Sequence, residues 1–384
     1  MNSVAIVSPS FYPMIGGVEG YVLGVGSELV KLGLKVDVYT PQKVLGKDCG
    51  VPEEVISGIS VHRIKVPLEF SYRIKVWPGL VDSLESDDHN LVHVYSHDSY
   101  AGFALVAARR MRVPFAVTTY GPFETHNDYG PLRTGAFRIY DAVITPQILG
   151  RSSAVFIRYP ALQGWVESLG LSPDRIHLEP SGIPRKSLGQ RTSSSLRGKL
   201  GDGPIILYLG RISPQKGVQY AVASMQEVAK QYPKSRLVLI GPDYIGYSRE
   251  LRTRAAEMGI EENVLLMDPI YDEEAQLEAI SECDAFVMPS SFEGFSQAVM
   301  KAMAQGKPVV VTNVGGLPYE IDYGKCGMIC EYGDSNALAG CLLRLLSSES
   351  ETSGLTQRAR ERAKAFTFDV LAARLADWYS KIAE

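Results

Sequence analysis

Two cations and one carboxylate, each set beside glycine, are the residues of this chain best placed to do chemistry. Arg211 and Lys216 fall in Gly210-Arg211-Ile-Ser-Pro-Gln-Lys216-Gly217, directly after the apolar run Ile205–Leu209. The planar Arg fork and the mobile Lys charge together suit the oxygens of a diphosphate. Taken alone, the same spacing describes two solvated surface cations. Glu293 falls in Pro289-Ser290-Ser-Phe-Glu293-Gly294-Phe295-Ser296, after an apolar run that ends at Met288. A short helix is expected from about Ser296 to Gln305, stopped by Gly306, and a second apolar run, Pro308 to Thr312, opens into Gly315-Gly316. Glycine lets a backbone approach a ligand closely, and a helix start offers unpaired N–H groups to an anion. Three such loops on equivalent strand ends would surround one anionic ligand.

The elements that must position these residues alternate. Val4–Ser8 reads as a buried strand, followed by a loop with Gly16-Gly17 and a helix from about Val18 to Leu32, with Val18, Val22, Val25, Leu29 and Leu32 on one face. Strands are expected at Val36–Thr40, Ile59–Ile64, Leu91–Tyr95, Phe115–Thr119, Ala142–Thr145 and Ala154–Ile157. The polar, Ser/Gly-rich stretch between Glu179 and Gly203 marks a domain boundary. Beyond it the same grammar restarts, with strands at Ile205–Leu209, Leu237–Ile240, Val264–Met267 and Ala285–Met288. This predicts an α/β chain of two Rossmann-like, doubly wound domains facing a cleft, over 1–187 and 188–366. Loops at strand C-termini carry ligands in such sheets, which makes Tyr120, His126 and His97 the candidates in the first half.

Composition narrows the function classes. The chain has 384 residues, 45% of them hydrophobic, with a formal net charge of −4. It has the apolar material for two cores and no excess charge to draw nucleic acid or a membrane. Five cysteines without a repeated spacing read as packed thiols in a reduced compartment. No apolar run reaches the length of a spanning helix, and the N-terminus enters a strand with no signal-peptide pattern, so a cytoplasmic protein is expected. Glu69 to Leu84 mixes aromatics and basic residues and is broken by Pro78. It could cover an acceptor site or touch a membrane surface, with an ordinary packing segment as the favoured reading.

On these residues the chain resembles glycosyltransferase family 4, the retaining, nucleotide-sugar-dependent enzymes of the GT-B fold. The motifs that carry the resemblance are Gly16-Gly17-Val18-Glu19, Gly210-Arg211 to Lys216-Gly217, Pro289-Ser290 with Glu293-Gly294-Phe295, and Gly306 to Gly315-Gly316 and Glu320. It implies that Arg211 and Lys216 hold the donor diphosphate and stabilise its developing charge, and that Glu293 accepts from sugar hydroxyls. Gly16, Gly17, Gly210, Gly294, Phe295, Ser296 and position 301 would line the donor site. The terminal segment Phe366 to Ile382, within 367–384, would cross back onto the first domain. The implied partners are a nucleotide diphosphate-sugar and a glycan, lipid or small-molecule acceptor, with no cofactor, no nucleic acid and no metal, since the chain has no Asp-x-Asp. In such enzymes the departing phosphate oxygen deprotonates the acceptor on the same face.

Three positions depart from the pattern. Lys301 stands where the second glutamate of the family's pair would grip the ribose; a lysine can donate to a hydroxyl but cannot accept from one. Tyr120 stands where a histidine is usual, and Ser296-Gln297 replaces a common Gly-Leu. The departures open a second reading, a degenerate GT-B protein serving as a binding or scaffold subunit. A sugar 2-epimerase of the same fold ranks last.

Overall fold

A computed structural model of the chain describes residues 2–14, 16–70, 73–123, 130–189, 191 and 195–383, side chains excepted at 130–133 and 195. The chain divides into two compact units, Met1–Pro184 with Thr367–Glu384, and Arg185–Phe366.

The first unit is built on an eight-stranded sheet. Its strands are β1 (Ser3–Val7), β2 (Lys35–Pro41), β3 (Glu53–Ile56), β4 (Ile59–Ile64), β5 (Val92–Tyr95), β6 (Phe115–Thr119), β7 (Ala154–Ile157) and β8 (Ile176–Leu178). Their order is β8-β7-β6-β5-β1-β2-β4-β3, parallel except for the β3–β4 edge pair. The inner strands are continuous β-branched and aromatic runs because helices cover both faces of a parallel sheet. Strand order reverses between β1 and β5, and the Gly16-Gly17 loop follows β1 while His97 follows β5.

The helix Gly17–Lys31 turns Tyr21, Val22, Val25 and Leu29 into the core. The C-terminal helix, Phe368–Ala383, adds Phe368, Leu371, Ala372, Leu375 and Tyr379 to the same cluster. Gly24 allows this close approach, since a Cβ there would fall 2.2 Å from the Phe368 ring. Tyr379 also reaches His93 in β5 (OH to Nδ1, 2.5 Å), whose Nε2 meets Thr118 Oγ1 at 2.8 Å. Burial pushes the His93 imidazole well below its ordinary value, which keeps this buried link neutral.

The second unit holds a six-stranded parallel sheet of β9 (Ile205–Leu209), β10 (Arg236–Ile240), β11 (Val264–Met267), β12 (Ala285–Met288), β13 (Val309–Thr312) and β14 (Met328–Cys330). The order β11-β10-β9-β12-β13-β14 reverses between β9 and β12. Open α/β sheets bind ligands outside the strand C-termini at this kind of reversal.

One expected strand is a helix. The strand expected at Ala142–Thr145 is absent, because Gly130–Val143 and Thr145–Leu149 are helical. Pro146 sits in the first turn of the latter, where its missing N–H costs nothing, and Ile148 and Leu149 pack inward. The Glu69–Leu84 segment is only half a packing element. Lys75, Trp77, Leu80, Val81 and Leu84 are buried, while Phe70, Ile74 and Val76 are exposed at or beside the short antiparallel ladder that pairs Leu68–Glu69 with Lys75–Val76. No described helix is long and apolar enough to cross a membrane.

Candidate active site

The reversal in the second sheet places the loops that carry the three sequence-predicted chemical residues side by side. Arg211 and Lys216 lie in the loop after β9, and Glu293 lies in the loop after the adjacent β12. Lys216 Nζ stands 2.5 Å from Glu293 Oε1, and Ser290 Oγ donates to that same oxygen at 3.0 Å. Both members of the pair are mostly shielded, with side-chain exposures of 15% and 12%. Arg211 is exposed, and its carbonyl accepts from the Tyr208 hydroxyl at 2.7 Å.

The loops that carry these groups are fused through glycines. Gly217 has φ of +67°, and a Cβ there would fall 1.8 Å from the Pro289 carbonyl oxygen. A Cβ on Gly315 (φ +54°) would fall 2.0 Å from the Glu293 carbonyl, which accepts from Gly316 N–H at 2.8 Å. Gly241, after β10, packs as closely on the Gly210 carbonyl, at 1.8 Å from a would-be Cβ. Side chains at these positions would push the four loops apart.

The start of the helix Gln297–Ala304 is arranged differently from a bare anion cradle. Ser296 is buried, its Oγ caps the helix by accepting from Val299 N–H at 3.3 Å, and its own N–H donates to Glu320 Oε1 at 2.5 Å. The Ser296 amide is therefore committed to a side chain of the next loop. Glu320 is fully buried, its Oε2 lacks a hydrogen-bond partner, and burial pushes the carboxyl well above the ordinary carboxylate range. It serves as a neutral peg holding the loop after β13 to the loop after β12.

Lys301 lies on the helix Gln297–Ala304 with only 7% of its surface exposed. Its Nζ meets Glu273 Oε1 at 2.9 Å and Gln276 Oε1 at 3.1 Å, both from the helix Glu273–Glu282. Sequence reasoning missed Glu273, and the unusual lysine was the only signal that could have prompted a search for a compensating acid. Phe295 packs on Phe366, with ring centroids 5.6 Å apart.

In the first unit, Gly16 and Gly17 are exposed at the start of the helix Gly17–Lys31, and a Cβ on Gly16 would meet the Glu19 carboxylate at 2.3 Å. His97 is buried and stacked on Phe123 at 4.2 Å, with Nδ1 3.1 Å from Thr119 Oγ1. Tyr120 accepts a hydrogen bond from Arg158 Nη2 at 3.1 Å. Arg158 was not expected from the sequence. It is buried, stacks over Tyr21 at 4.4 Å and donates to the Glu179 carbonyl at 3.0 Å. The Glu179 carboxylate in turn accepts from Tyr21 at 2.7 Å, Thr118 at 2.9 Å and Tyr95 at 3.2 Å. Position 120 is thereby tied to a rigid buried network. His126 lies outside the described residues.

Comparison with known proteins follows this division. Residues 16–182 match the family model for the glycosyl transferase 4-like domain, and residues 191–365 match glycosyl transferases group 1. Among curated relatives, D-inositol 3-phosphate glycosyltransferase of Corynebacterium efficiens is 26% identical over 95% of this chain and 90% of its own length. Mannosylfructose-phosphate synthase of Agrobacterium fabrum is 25% identical over 94% of this chain and 85% of its own. Among solved structures, sucrose-phosphate synthase from Thermosynechococcus elongatus superposes with a TM-score of 0.80 at 21% identity, covering 100% of this chain and 99% of that one. The two matched domains, the full-length relatives and the shared architecture agree: the chain is a glycosyltransferase of the GT-B fold, a glycosyl transferase 4-like domain followed by a glycosyl transferases group 1 domain.

Proposed function

We propose that the protein is a retaining enzyme of family 4 that moves a sugar from a nucleotide diphosphate-sugar to a hydroxyl acceptor without a metal. The observation that carries this reading is the pairing of Lys216 with Glu293 at the strand reversal of the second sheet, with Arg211 in the same loop as Lys216. Lys216 is paired with Glu293 in this structure; a bound diphosphate offers the ammonium a doubly charged alternative and releases the carboxylate toward sugar hydroxyls. Arg211 and Lys216 then supply the cationic charge that stabilises the departing diphosphate, a task worth several kcal/mol, about 3, for one well-placed donor. The leaving oxygen takes the acceptor proton on the face from which it departs, so the anomeric configuration is kept.

The names of the relatives support a nucleotide sugar and a phosphorylated polyol or sugar as acceptor. They include an inositol 3-phosphate glycosyltransferase and a mannosylfructose-phosphate synthase, and one similar fold was solved with UDP-glucose. Of the glycan, lipid and small-molecule classes, the small phosphorylated polyol fits these best.

A thermal-shift screen of nucleotide sugars, with Arg211→Ala and Lys216→Ala beside the wild type, tests the donor assignment. Stabilisation by one donor and its loss in both variants is the expected result; equal stabilisation in all three proteins overturns it. The anomer of the product, and turnover in the presence of a chelator, test the stereochemistry and metal independence separately.

A further inference from the structure

Toward the far edge of the first sheet two histidines and a second aspartate gather around the buried carboxylate of Asp37. Asp37 (β2), His62 (β4) and Asp87, in the segment before β5, place one ligand-type atom each within 4.8 Å of one another. His62 Nε2 lies 3.1 Å from Asp37 Oδ1, and its other nitrogen, Nδ1, lies 2.7 Å from Glu53 Oε2. His89 repeats the arrangement. Its Nε2 is held by the Tyr39 hydroxyl at 2.9 Å, while its Nδ1 faces Asp37 Oδ2 at 3.8 Å.

That last pair is the telling one. His89 is 4% exposed and Asp37 1%; His89 Nδ1 has no hydrogen-bond partner, and Asp37 Oδ2 has only the Lys35 ammonium opposite it. A separation of 3.8 Å is too long for a hydrogen bond. It is close to the spacing of two ligands on one tetrahedral ion, about 3.4 Å for bonds of about 2.1 Å. Each imidazole thus has one nitrogen fixed by an outer oxygen and the other directed at the same carboxylate, the orientation that outer-shell partners impose on metal-binding histidines. The positive charge now near this carboxylate comes from Lys35, whose Nζ lies 3.3 Å from Asp37 Oδ2 and 3.6 Å from Asp87 Oδ1 with half of its side chain exposed.

We infer that Asp37, His62 and Asp87 form a site for a divalent transition cation, with His89, 3.8 Å from Asp37, as the side chain that would complete it and Zn2+ the best match to this donor set. The cation takes the place of the direct His62–Asp37 contact and of the Lys35 ammonium, which swings into solvent. Glu53 and Tyr39 remain as the outer partners of the two rings. The ligands come from β2, β4 and the segment before β5, so the ion clamps that edge of the sheet. It has no part in the diphosphate chemistry assigned to the second unit.

The test uses the full-length protein after dialysis against a chelator, titrated with Co2+ and then with Zn2+ in competition. The expected result is one equivalent of Co2+ with visible ligand-field bands, displaced by Zn2+, and without the near-ultraviolet band that thiolate ligation would add. Asp37→Asn and His62→Gln are expected to weaken binding about tenfold or more, and Lys35→Met, at a half-exposed position, to tighten it. Absence of saturable binding, a thiolate band, or a folded Lys35→Met variant that binds no more tightly than wild type overturns the assignment.

Discussion

Lys301 Nζ lies 2.9 Å from Glu273 Oε1, so the cation that replaces an expected glutamate brings its own carboxylate with it from a neighbouring helix. The charge reversal at position 301 is neutralised locally, and an acceptor oxygen persists beside that position. Reversing Lys301 alone would place two carboxylates against each other in a nearly buried setting. Lys301→Glu is therefore expected to destabilise the protein by about 1–3 kcal/mol, whereas Lys301→Glu with Glu273→Lys recovers most of that loss. Denaturant midpoints of the two singles and the double check this. Additive losses in the double variant would show that the pair is not coupled.

The Lys216–Glu293 contact predicts that binding and turnover separate. Glu293→Gln removes the internal competitor for the Lys216 ammonium, so a nucleoside diphosphate without its sugar is expected to bind as tightly as before or more so. Sugar transfer is expected to fall by about 100-fold or more, because the carboxylate facing the sugar is gone. Lys216→Ala has the opposite profile in binding, losing about tenfold or more in diphosphate affinity from one charge-assisted contact. Calorimetric titration and initial rates on the same preparations distinguish the two.

How far the site was legible depends on whether its parts are local in sequence. Arg211, Lys216 and Glu293 could be read because each lies in a glycine-bounded loop behind a buried run, and Ile205–Leu209 and Ala285–Met288 are continuous apolar strands covered on both faces. Ala142–Thr145 misled because its apolar residues lie at a junction of two helices with Val143 and Ile144 exposed, so their β-branched character reports no buried strand. Glu53–Ile56 escaped notice as a partly exposed edge strand, and Ile176–Leu178 as a strand of three residues. Glu273 beside Lys301, and the gathering of Asp37, His62, Asp87 and His89, are made between distant segments. No spacing in the chain records them.

Glu320 should give the protein a measurable pH dependence. Its folded-state value is raised above the ordinary carboxylate value of about 4.3. The stability it contributes is fully present below that ordinary value and is lost as pH rises toward the folded-state value, because the buried group must then ionise or pay to stay protonated. Glu320→Gln keeps an acceptor for the Ser296 N–H and cannot ionise. It is expected to match or exceed wild-type stability at pH 8, with the advantage shrinking as the pH falls toward 4. Glu320→Ala, which strands the Ser296 amide, is expected to lose about 1–3 kcal/mol. Denaturation curves across this pH range decide the matter, and a Gln variant less stable than wild type at pH 8 would contradict the neutral form.

Gly217 and Gly315 make the strongest structural demand on the candidate active site. Each has positive φ, and each would drive a Cβ into the carbonyl of the loop after β12, at 1.8 Å from Pro289 O and 2.0 Å from Glu293 O. Backbone cannot yield as a flexible side chain can, so the loops must part. Gly217→Ala and Gly315→Ala are each expected to cost about 2–3 kcal/mol and to weaken donor binding beyond the loss of stability, since they move Lys216 and Glu293 off one another. Gly170 is the internal control. It also has positive φ, +88°, but nothing lies within 4 Å of its would-be Cβ, so Gly170→Ala tests backbone strain without the clash. If all three variants lose stability equally and bind a nucleotide sugar equally well, the glycines serve only the turn, and the fusion of the loops contributes nothing to the site.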